Sequence, residues 1–422
     1  MEFVREDGLR VFDGAIGTEV QKRSGEESDN LTDALNLGNP EIVEEIHRSY
    51  LEAGAEFLTT NTFSSNRIRL SRSGYEERAA ELNERGAEIA RTAIGEFFGD
   101  GGKGERFVAG SIGPTGETMV PLGDFRFDDF YSSFLEQAKS LSRGGVDWII
   151  IETMESIREA KAALLAVQEL EIPVISSMSY GNHGRTSYGV IPASSAVTLT
   201  RAGADVLGIN CGTGPEPYPD LIETYHDYSN LPLLAEANAG TPKLRGGKVL
   251  YEITPEGYLE GMKPGLSYLA GVGSCCGSDP NFTRSLSSVS GDFQPSFRPK
   301  KVDGGGFIAS SSSVVSLDEV LGMEEVEVHL DELPRIKGKL DDEKVNLLSF
   351  KGVSGAGDEL EALLSRTFLQ LRTKKPVGVV ARAPQVIETF LKAYPGLPPV
   401  YLPGRKDGEL VSLIRRYGGV LV

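Results

Sequence analysis

The stretch VDWIIIET at residues 146–153 decides the fold, because it is a short apolar run that ends in two polar residues. Three consecutive isoleucines are typical of a strand buried on both faces, as in a parallel sheet. Seven similar runs lie before residue 290, at 9–14, 56–63, 106–113, 173–180, 204–211, 232–240 and 270–277. Helical stretches separate them, for example 156–170 with Ser156 as its cap. Eight such units predict a (β/α)8 TIM barrel, with an open doubly wound sheet as the alternative.

The sequence after residue 290 predicts a second, smaller unit. Residues 291–306 are rich in Gly, Pro and Ser and lack apolar periodicity, which predicts a linker. The later part of residues 307–422, from 345 on, alternates again between strand-like and helix-like runs, but the segment is too short for a second complete barrel. We therefore expect a barrel at 1–290, a linker at 291–306 and a small α/β domain at 307–422.

Composition narrows the class of protein. The 422 residues include 43 Lys and Arg against 61 Asp and Glu, a formal net charge of −18, which argues against a nucleic-acid partner. No run of 18 apolar residues occurs, so no membrane segment is expected, and the first residues lack a signal-peptide core. Three cysteines are an odd number and form no disulfide framework. These features predict a protein of the reducing cytoplasm.

The three cysteines occupy equivalent places in the pattern. Cys211 ends the sixth apolar run, and Cys275 and Cys276 end the eighth. Because the carboxyl ends of barrel strands share one face, the three thiolates are expected to converge there. Three thiolates suit Zn²⁺, and three protein ligands with an open fourth position are the catalytic pattern. The alternatives are buried free cysteines or a disulfide between Cys275 and Cys276.

The expected ligand set indicates a type of chemistry. Three thiolates leave the zinc complex with a formal charge of −1, which makes it a poor Lewis acid for hydrolysis. Such a zinc can still keep a fourth thiol deprotonated near neutral pH. The sequence therefore favours activation of a thiol substrate over cleavage of a peptide or ester.

Other polar residues follow the apolar runs at matching positions. Each of them alone could be a strand-end cap or a turn residue. Together they would line the rim that carries the cysteines and could bind a small amino acid. A carboxylate such as Glu152 could hold the ammonium group, and backbone N–H groups near Gly17 and Thr18 could hold the carboxylate. The candidate residues are Asp13, Gly17, Thr18, Asn61, Ser111, Glu152 and Asn238.

Several of these segments resemble a known family. DGAIGTE (13–19), GSIGPTGE (110–117), GINC (208–211), EANAG (236–240) and GSCCG (273–277) are similar to motifs of the zinc-dependent homocysteine S-methyltransferases. The barrel resembles most the N-terminal, homocysteine-binding module of cobalamin-dependent methionine synthase. The resemblance implies that Cys211, Cys275 and Cys276 bind zinc, that homocysteine is the substrate, and that Glu152 and Asp13 orient it. It also places Asn238 at a position that approaches the zinc in some members.

The resemblance extends weakly into the C-terminal unit. FIASSSS (307–313) and the segments at 391–402 and 412–422 are similar to fragments of a folate-binding barrel, without its Gly-Glu-Arg-x-Asn opening. The Asp-x-His-x-x-Gly signature of a cobalamin module is also absent. These features imply a methylcorrinoid on a separate partner protein as methyl donor. S-methylmethionine or betaine is the alternative donor, and a non-catalytic homocysteine-binding subunit is the alternative function.

Overall fold

The N-terminal two thirds of the chain form a closed parallel barrel. The computed structural model describes residues 3–24, 31–99, 105–245, 248–295, 306–319, 322–341, 344–350, 353, 357–371, 375–380, 383–403 and 408–422. The barrel strands are β1 (Arg10–Val11), β2 (Phe57–Thr59), β3 (Phe107–Ile112), β4 (Trp148–Met154), β5 (Val174–Met178), β6 (Val206–Asn210), β7 (Leu233–Ala237) and β8 (Gly271–Ser274). Each strand pairs in parallel with its neighbour, β8 pairs with β1, and a Phe12–Phe57 bridge joins β1 to β2. The predicted (β/α)8 fold is confirmed.

Nine helices of eight or more residues accompany these strands in the described part of the barrel. They are α1 (Ile16–Ser24), α2 (Pro40–Glu52), α3 (Ala79–Phe98), α4 (Phe127–Arg143), α5 (Ile157–Val167), α6 (Pro192–Arg201), α7 (Tyr218–Tyr228), α8 (Pro255–Met262) and α9 (Pro280–Val289). Shorter helical turns cover Thr32–Ala34, Leu35–Gly38, Arg67–Leu70, Ser71–Ser73, Glu76–Arg78, Lys263–Tyr268 and Ser290–Asp292, and a hairpin pairs Lys243–Arg245 with Lys248–Leu250. None of the helices in the described ranges is both long and apolar enough to cross a bilayer.

The barrel interior changes from apolar to polar along each strand. Side chains alternate between the two faces of a strand, so Trp148 and Ile150 of β4 face the interior and Glu152 follows them at its carboxyl end. Ile149 and Ile151 pack outward with the helices. At the amino end of the barrel, Phe12 stacks on Phe57 with ring centroids 4.3 Å apart. The fold therefore closes one end with aromatic packing and presents polar groups at the other.

The C-terminal unit contains a hairpin and a five-stranded parallel sheet. The hairpin pairs β9 (Phe307–Ser310) with β10 (Ser313–Ser316). The sheet follows chain order, with β11 (Met323–Val328), β12 (Val345–Phe350), β13 (Val377–Val380), β14 (Pro399–Tyr401) and β15 (Val420–Leu421). Helices α10 (Asp358–Gln370), α11 (Pro384–Ala393) and α12 (Gly408–Arg416) and the helical turns Leu317–Glu319 and Leu330–Lys339 complete it. Most of the predicted linker, residues 296–305, lies outside the described residues.

The C-terminal unit packs against the outer helices of the barrel. Lys161 of α5 is buried and donates from Nζ to the carbonyl oxygens of Leu391 (3.0 Å) and Gly396 (3.5 Å) at the end of α11. Arg158 forms an ion pair with Glu361 of α10 at 3.1 Å. Burial, together with the charge of the neighbouring Arg158, lowers the pKa of Lys161 to about 7. Buried charged groups thus belong to the contact between the two units.

Candidate metal centre and substrate site

The chain turns sharply where β6 ends, and this turn positions the first cysteine. Cys211 has φ = +59°, in the left-handed region that non-glycine residues seldom occupy, and its N–H donates to the carbonyl oxygen of Glu236 at 2.9 Å. Gly212 follows with φ = +72°, and a Cβ there would lie 2.1 Å from the carbonyl oxygen of Tyr180. The Tyr218 hydroxyl donates to the Cys211 carbonyl oxygen at 2.9 Å. This backbone geometry holds the thiol at the carboxyl end of the barrel.

The other two cysteines follow β8 and meet the first. The N–H of Cys275 donates to the Ala237 carbonyl oxygen at 2.8 Å, and the Cys276 carbonyl oxygen accepts from Ala239 N at 3.0 Å. The three sulfur atoms all lie within 4.8 Å of one another, and the Sγ atoms of Cys211 and Cys276 are 3.8 Å apart. All three cysteines are free. The convergence expected from the strand pattern is therefore present.

The distance of 3.8 Å between the sulfur atoms of Cys211 and Cys276 is the one that a tetrahedral zinc would require. With Zn–S bonds of about 2.3 Å, two thiolate ligands lie about 3.8 Å apart. Asn238 is buried beside Cys211 and hydrogen-bonds to it, and its Oδ1 has no partner among the described residues. Hydrogen bonds from the thiols of Cys275 and Cys276 lower the pKa of Cys211. The same hydrogen bonds to Cys211 raise the pKa of Cys275 and Cys276, because these two thiols act as the donors. A soft divalent cation would allow all three to ionise.

Glu152 lies next to the cysteines and is linked to them by Asn210. The hydroxyl of Ser111 donates to Glu152 Oε1 at 2.5 Å, and Asn210 Nδ2 donates to Oε2 at 3.2 Å. Burial, together with the negative charge of Cys211, raises the pKa of Glu152 to about 7. The Nδ2 atom of Asn210 is also 4.0 Å from the sulfur of Cys275. One amide therefore connects the carboxylate to the candidate metal centre.

Two further carboxyl groups are buried in the same end of the barrel. Asp13 Oδ2 accepts a hydrogen bond from Thr59 N at 2.8 Å, and burial raises the pKa of Asp13 to about 8. Burial also raises the pKa of Glu236 well above its usual value, and the charges of Glu152 and Asp13 add to this effect. Because three buried carboxylates repel one another, they cannot all ionise without a cation. An ammonium group of a substrate would supply that cation.

The structure places the remaining candidate residues at or near this rim. Gly17 and Thr18 lie in the first turn of α1, and Thr18 Oγ1 accepts from Gly277 N at 3.1 Å. Asn61 is buried in the loop after β2, and its Nδ2 donates to Thr32 O and Asn36 Oδ1, both at 3.0 Å. Asn61 therefore uses its amide hydrogens to join two loops of the protein.

One residue of the site, Asn210, was not assigned from the sequence. Its Oδ1 accepts from Thr153 N at 2.7 Å and from the Ser177 hydroxyl at 2.8 Å, so the side chain has a fixed orientation. It is the last residue of an otherwise apolar strand and directly precedes Cys211. A polar side chain at the carboxyl end of a buried barrel strand is the signal that could have identified it.

Comparisons with known proteins identify the family of the barrel. The family model described as homocysteine S-methyltransferase matches residues 10–289. Methionine synthase from Mycobacterium tuberculosis is 29% identical to the chain over 294 residues, which are 67% of this chain and 24% of that protein. The chain thus spans about a quarter of the length of this curated relative.

Solved structures show the same barrel. The metallated form of the homocysteine methyltransferase MmuM from Escherichia coli has a TM-score of 0.58 and 23% identity, over 68% of this chain and 97% of that chain. Its oxidized form has a TM-score of 0.57 and the same identity and coverage. At 23% identity, the likeness to these structures establishes the fold alone. The family model matches well over half of the chain and therefore establishes the family. The chain belongs to the homocysteine S-methyltransferase family.

Proposed function

We propose that this protein transfers a methyl group to the thiol of homocysteine and so forms methionine, with Zn²⁺ held by Cys211, Cys275 and Cys276. The convergence of three free sulfur atoms within 4.8 Å at the carboxyl end of the barrel carries this proposal. Family membership supports the proposal, because the predicted activity is that of a homocysteine S-methyltransferase. When bound, zinc would supply the Lewis acidity that keeps a substrate thiol ionised near neutral pH.

The residues around the cysteines would bind the amino acid part of homocysteine. Glu152 and Asp13 accept hydrogen bonds from the substrate ammonium group, and the buried carboxyl groups release protons as its charge arrives. Backbone N–H groups of Gly17 and Thr18, in the first turn of α1, face the carboxylate. Asn210 keeps Glu152 in place through its hydrogen bond to Oε2. Ser111 and Asn238 complete the proposed substrate site, and Asn61 supports it by joining two neighbouring loops.

The reaction then needs a methyl donor at the barrel mouth. The thiol of homocysteine gives up its proton, the sulfur forms a bond to the methyl carbon, and the donor leaves with the electron pair of the broken bond. We propose a methylcorrinoid on a separate partner protein as donor, on the strength of the resemblance to methionine synthase. Free S-methylmethionine or betaine is the alternative. A non-catalytic subunit that only binds homocysteine is the second candidate function.

We further propose that residues 307–422 are a remnant of a second barrel, joined through residues 291–306 to the barrel at 1–290. Five parallel strands in chain order, each joined to the next through a helical segment, are the arrangement of a barrel segment. This arrangement supports the resemblance of the C-terminal segments to a folate-binding barrel. The proposed role of the unit is to dock a partner or to support the first barrel.

A donor panel with the purified full chain tests the function. We expect about one zinc per chain, and methionine from homocysteine when a methylated corrinoid protein is added. Turnover with free S-methylmethionine or betaine would replace the partner proposal by the free-donor alternative. Homocysteine binding without turnover on any donor would favour the non-catalytic subunit. Methionine formation by zinc-free protein would contradict the metal-dependent mechanism.

A further inference from the structure

A cavity lies between the barrel and the C-terminal unit, outside the proposed homocysteine site. We call it the junction cavity; its volume is about 510 Å³, within the usual range for small-molecule sites. The barrel contributes loops that follow β3, β4 and β5, with Met119, Ile157 and Tyr188 among the lining residues. The C-terminal unit contributes Phe368 and Leu371 of α10 and its end. No residue proposed above for zinc or homocysteine lines this cavity.

Large apolar side chains at the edge of the junction cavity are exposed to solvent. Leu122 is 66% exposed, Leu369 is 49% exposed and Tyr188 is 42% exposed. All three line the cavity, and they come from both units of the chain. A cluster of exposed large apolar residues around a concave site is typical of a ligand-binding region. The body of the ligand should therefore be apolar.

The buried polar groups of the cavity include the hydroxyl of Ser365 and one carboxylate, that of Glu159. Glu159 lines the cavity and is only 5% exposed. Its Oε1 accepts from Thr115 N and Thr115 Oγ1, both at 2.8 Å, whereas no described residue donates to Oε2. Oε2 keeps some solvent exposure, so a ligand in the cavity can reach it. Glu159 lies in the first turn of α5, where the helix dipole favours the anion.

The other charges of the cavity already have partners or face solvent. Arg158 donates to Glu361, to the Val120 carbonyl oxygen and to the Lys392 carbonyl oxygen. Glu117 is paired with Arg72 at 2.6 Å. Arg185 is exposed at the mouth, where water screens its charge. Burial raises the pKa of Glu159 to about 7, whereas the hydrogen bonds from Thr115 and the positive charge of the nearby Arg69 oppose this rise. Above this pH the Glu159 oxygen without a donor belongs to an anion, and its complement is a cationic hydrogen-bond donor.

We propose that the junction cavity binds a small organic amine, with its apolar, ring-sized body between Met119, Ile157 and Phe368 and its ammonium group on Glu159. The ligand would contact both the barrel and the C-terminal unit, so its binding would also stabilise their contact. The cavity shares no lining residue with the proposed zinc and homocysteine site. Binding can be tested whether or not the proposed methyl transfer is correct.

The test measures binding of 2-phenylethylamine and of the uncharged 2-phenylethanol to the full chain by titration calorimetry at pH 8, above the raised pKa of Glu159. We expect the amine to bind at least about tenfold more tightly, and Glu159→Gln to remove this preference, because a hydrogen bond to a charged group is lost. The glutamine can still accept from Thr115, so the fold should be kept, and the unfolding temperature checks this. Glu171→Gln removes an exposed carboxylate beyond the other end of α5 that does not line the cavity, and it should leave amine binding unchanged.

A second variant tests the location of the site. Ser312 is exposed in the turn between β9 and β10 and lines the cavity, so Ser312→Trp should fill part of it without disturbing Glu159. We expect this variant to weaken amine binding by about tenfold or more, as expected when an apolar contact area is displaced. Equal binding of amine and alcohol, no binding of either, or unchanged amine binding by Glu159→Gln or Ser312→Trp would overturn the proposal.

Discussion

The barrel and the C-terminal unit are both built from parallel strands and helices, yet they place their polar side chains differently. Barrel strands end in or near polar residues such as Asn210 and Glu236, and these face a common interior. In the C-terminal sheet the strands end in Val328, Phe350 and Val380. Buried charge belonging to that unit, such as Glu361 of α10, contacts the barrel instead. The same architecture thus serves chemistry in one unit and attachment in the other.

The largest expected effect comes from removing one sulfur atom. Cys211→Ala should lose its zinc and retain less than about one hundredth of the activity, since even partners of metal ligands change affinity or activity about 10- to 100-fold. Metal analysis of the purified variant and methionine formation measure this result. Ser365→Ala in α10 is the control in the other unit, because it removes a buried hydroxyl that has no hydrogen-bond partner among the described residues. A Cys211→Ala protein with full zinc content would contradict the proposed ligand set.

The next effect concerns stability and should be confined to the contact between the units. Arg158→Met leaves the buried Glu361 without its charged partner, although the N–H of Phe127 still donates to it, and the loss costs about 3–5 kcal/mol in the free energy of unfolding. Urea unfolding followed by circular dichroism measures this change, and zinc content should stay at the wild-type level. Arg416→Met breaks an exposed pair with Glu169 across the same contact and should cost less than about 1 kcal/mol. Similar losses in both variants would show that burial does not distinguish the two pairs.

The sequence predicted the barrel and the convergence of the cysteines because both follow from a regular pattern. Strand period and the shared carboxyl face place Cys211 and Cys275 together without further information. Asn210 was not assigned, since its importance depends on the left-handed turn at Cys211 and on the register of β6 with its neighbours. The strand β11 and the hairpin of β9 and β10 were not predicted either. Four of the first five residues of β11 are exposed or charged, so it lacks the apolar run that marks a buried strand.

A smaller effect is expected at the proposed substrate carboxylate. Glu152→Gln keeps an oxygen that can accept from Ser111, but it removes the charge proposed to hold the ammonium group. A hydrogen bond to a charged group contributes about 1.5–3 kcal/mol, so kcat/KM for homocysteine should fall about 10- to 100-fold. Zinc content should be unchanged, which separates this role from metal binding. Glu155→Gln is the matched control three residues along the chain, and an equal loss there would contradict a specific role of Glu152.

The smallest effect is a pH dependence of stability that belongs to the contact between the units. Burial lowers the pKa of Lys161 from 10.5 to about 7, so between these values the unfolded chain binds more protons than the folded chain. The contribution of Lys161 to the free energy of unfolding therefore rises with pH across this window, by up to about 1.4 kcal/mol per pH unit. Below pH 7 the amine is protonated in both states and the contribution is constant.

Lys161→Met should remove this rise, although it also deprives the Leu391 and Gly396 carbonyl oxygens of their donor. Urea unfolding at pH 7, 8 and 9 measures the slope in both proteins, and the exposed Lys139 of α4 is the control, since Lys139→Met should leave the slope unchanged. An unchanged slope in Lys161→Met would mean that water reaches this amine in the folded protein. The contact between the two units would then be open to solvent, and buried charge would no longer distinguish it from the rest of the surface of the barrel.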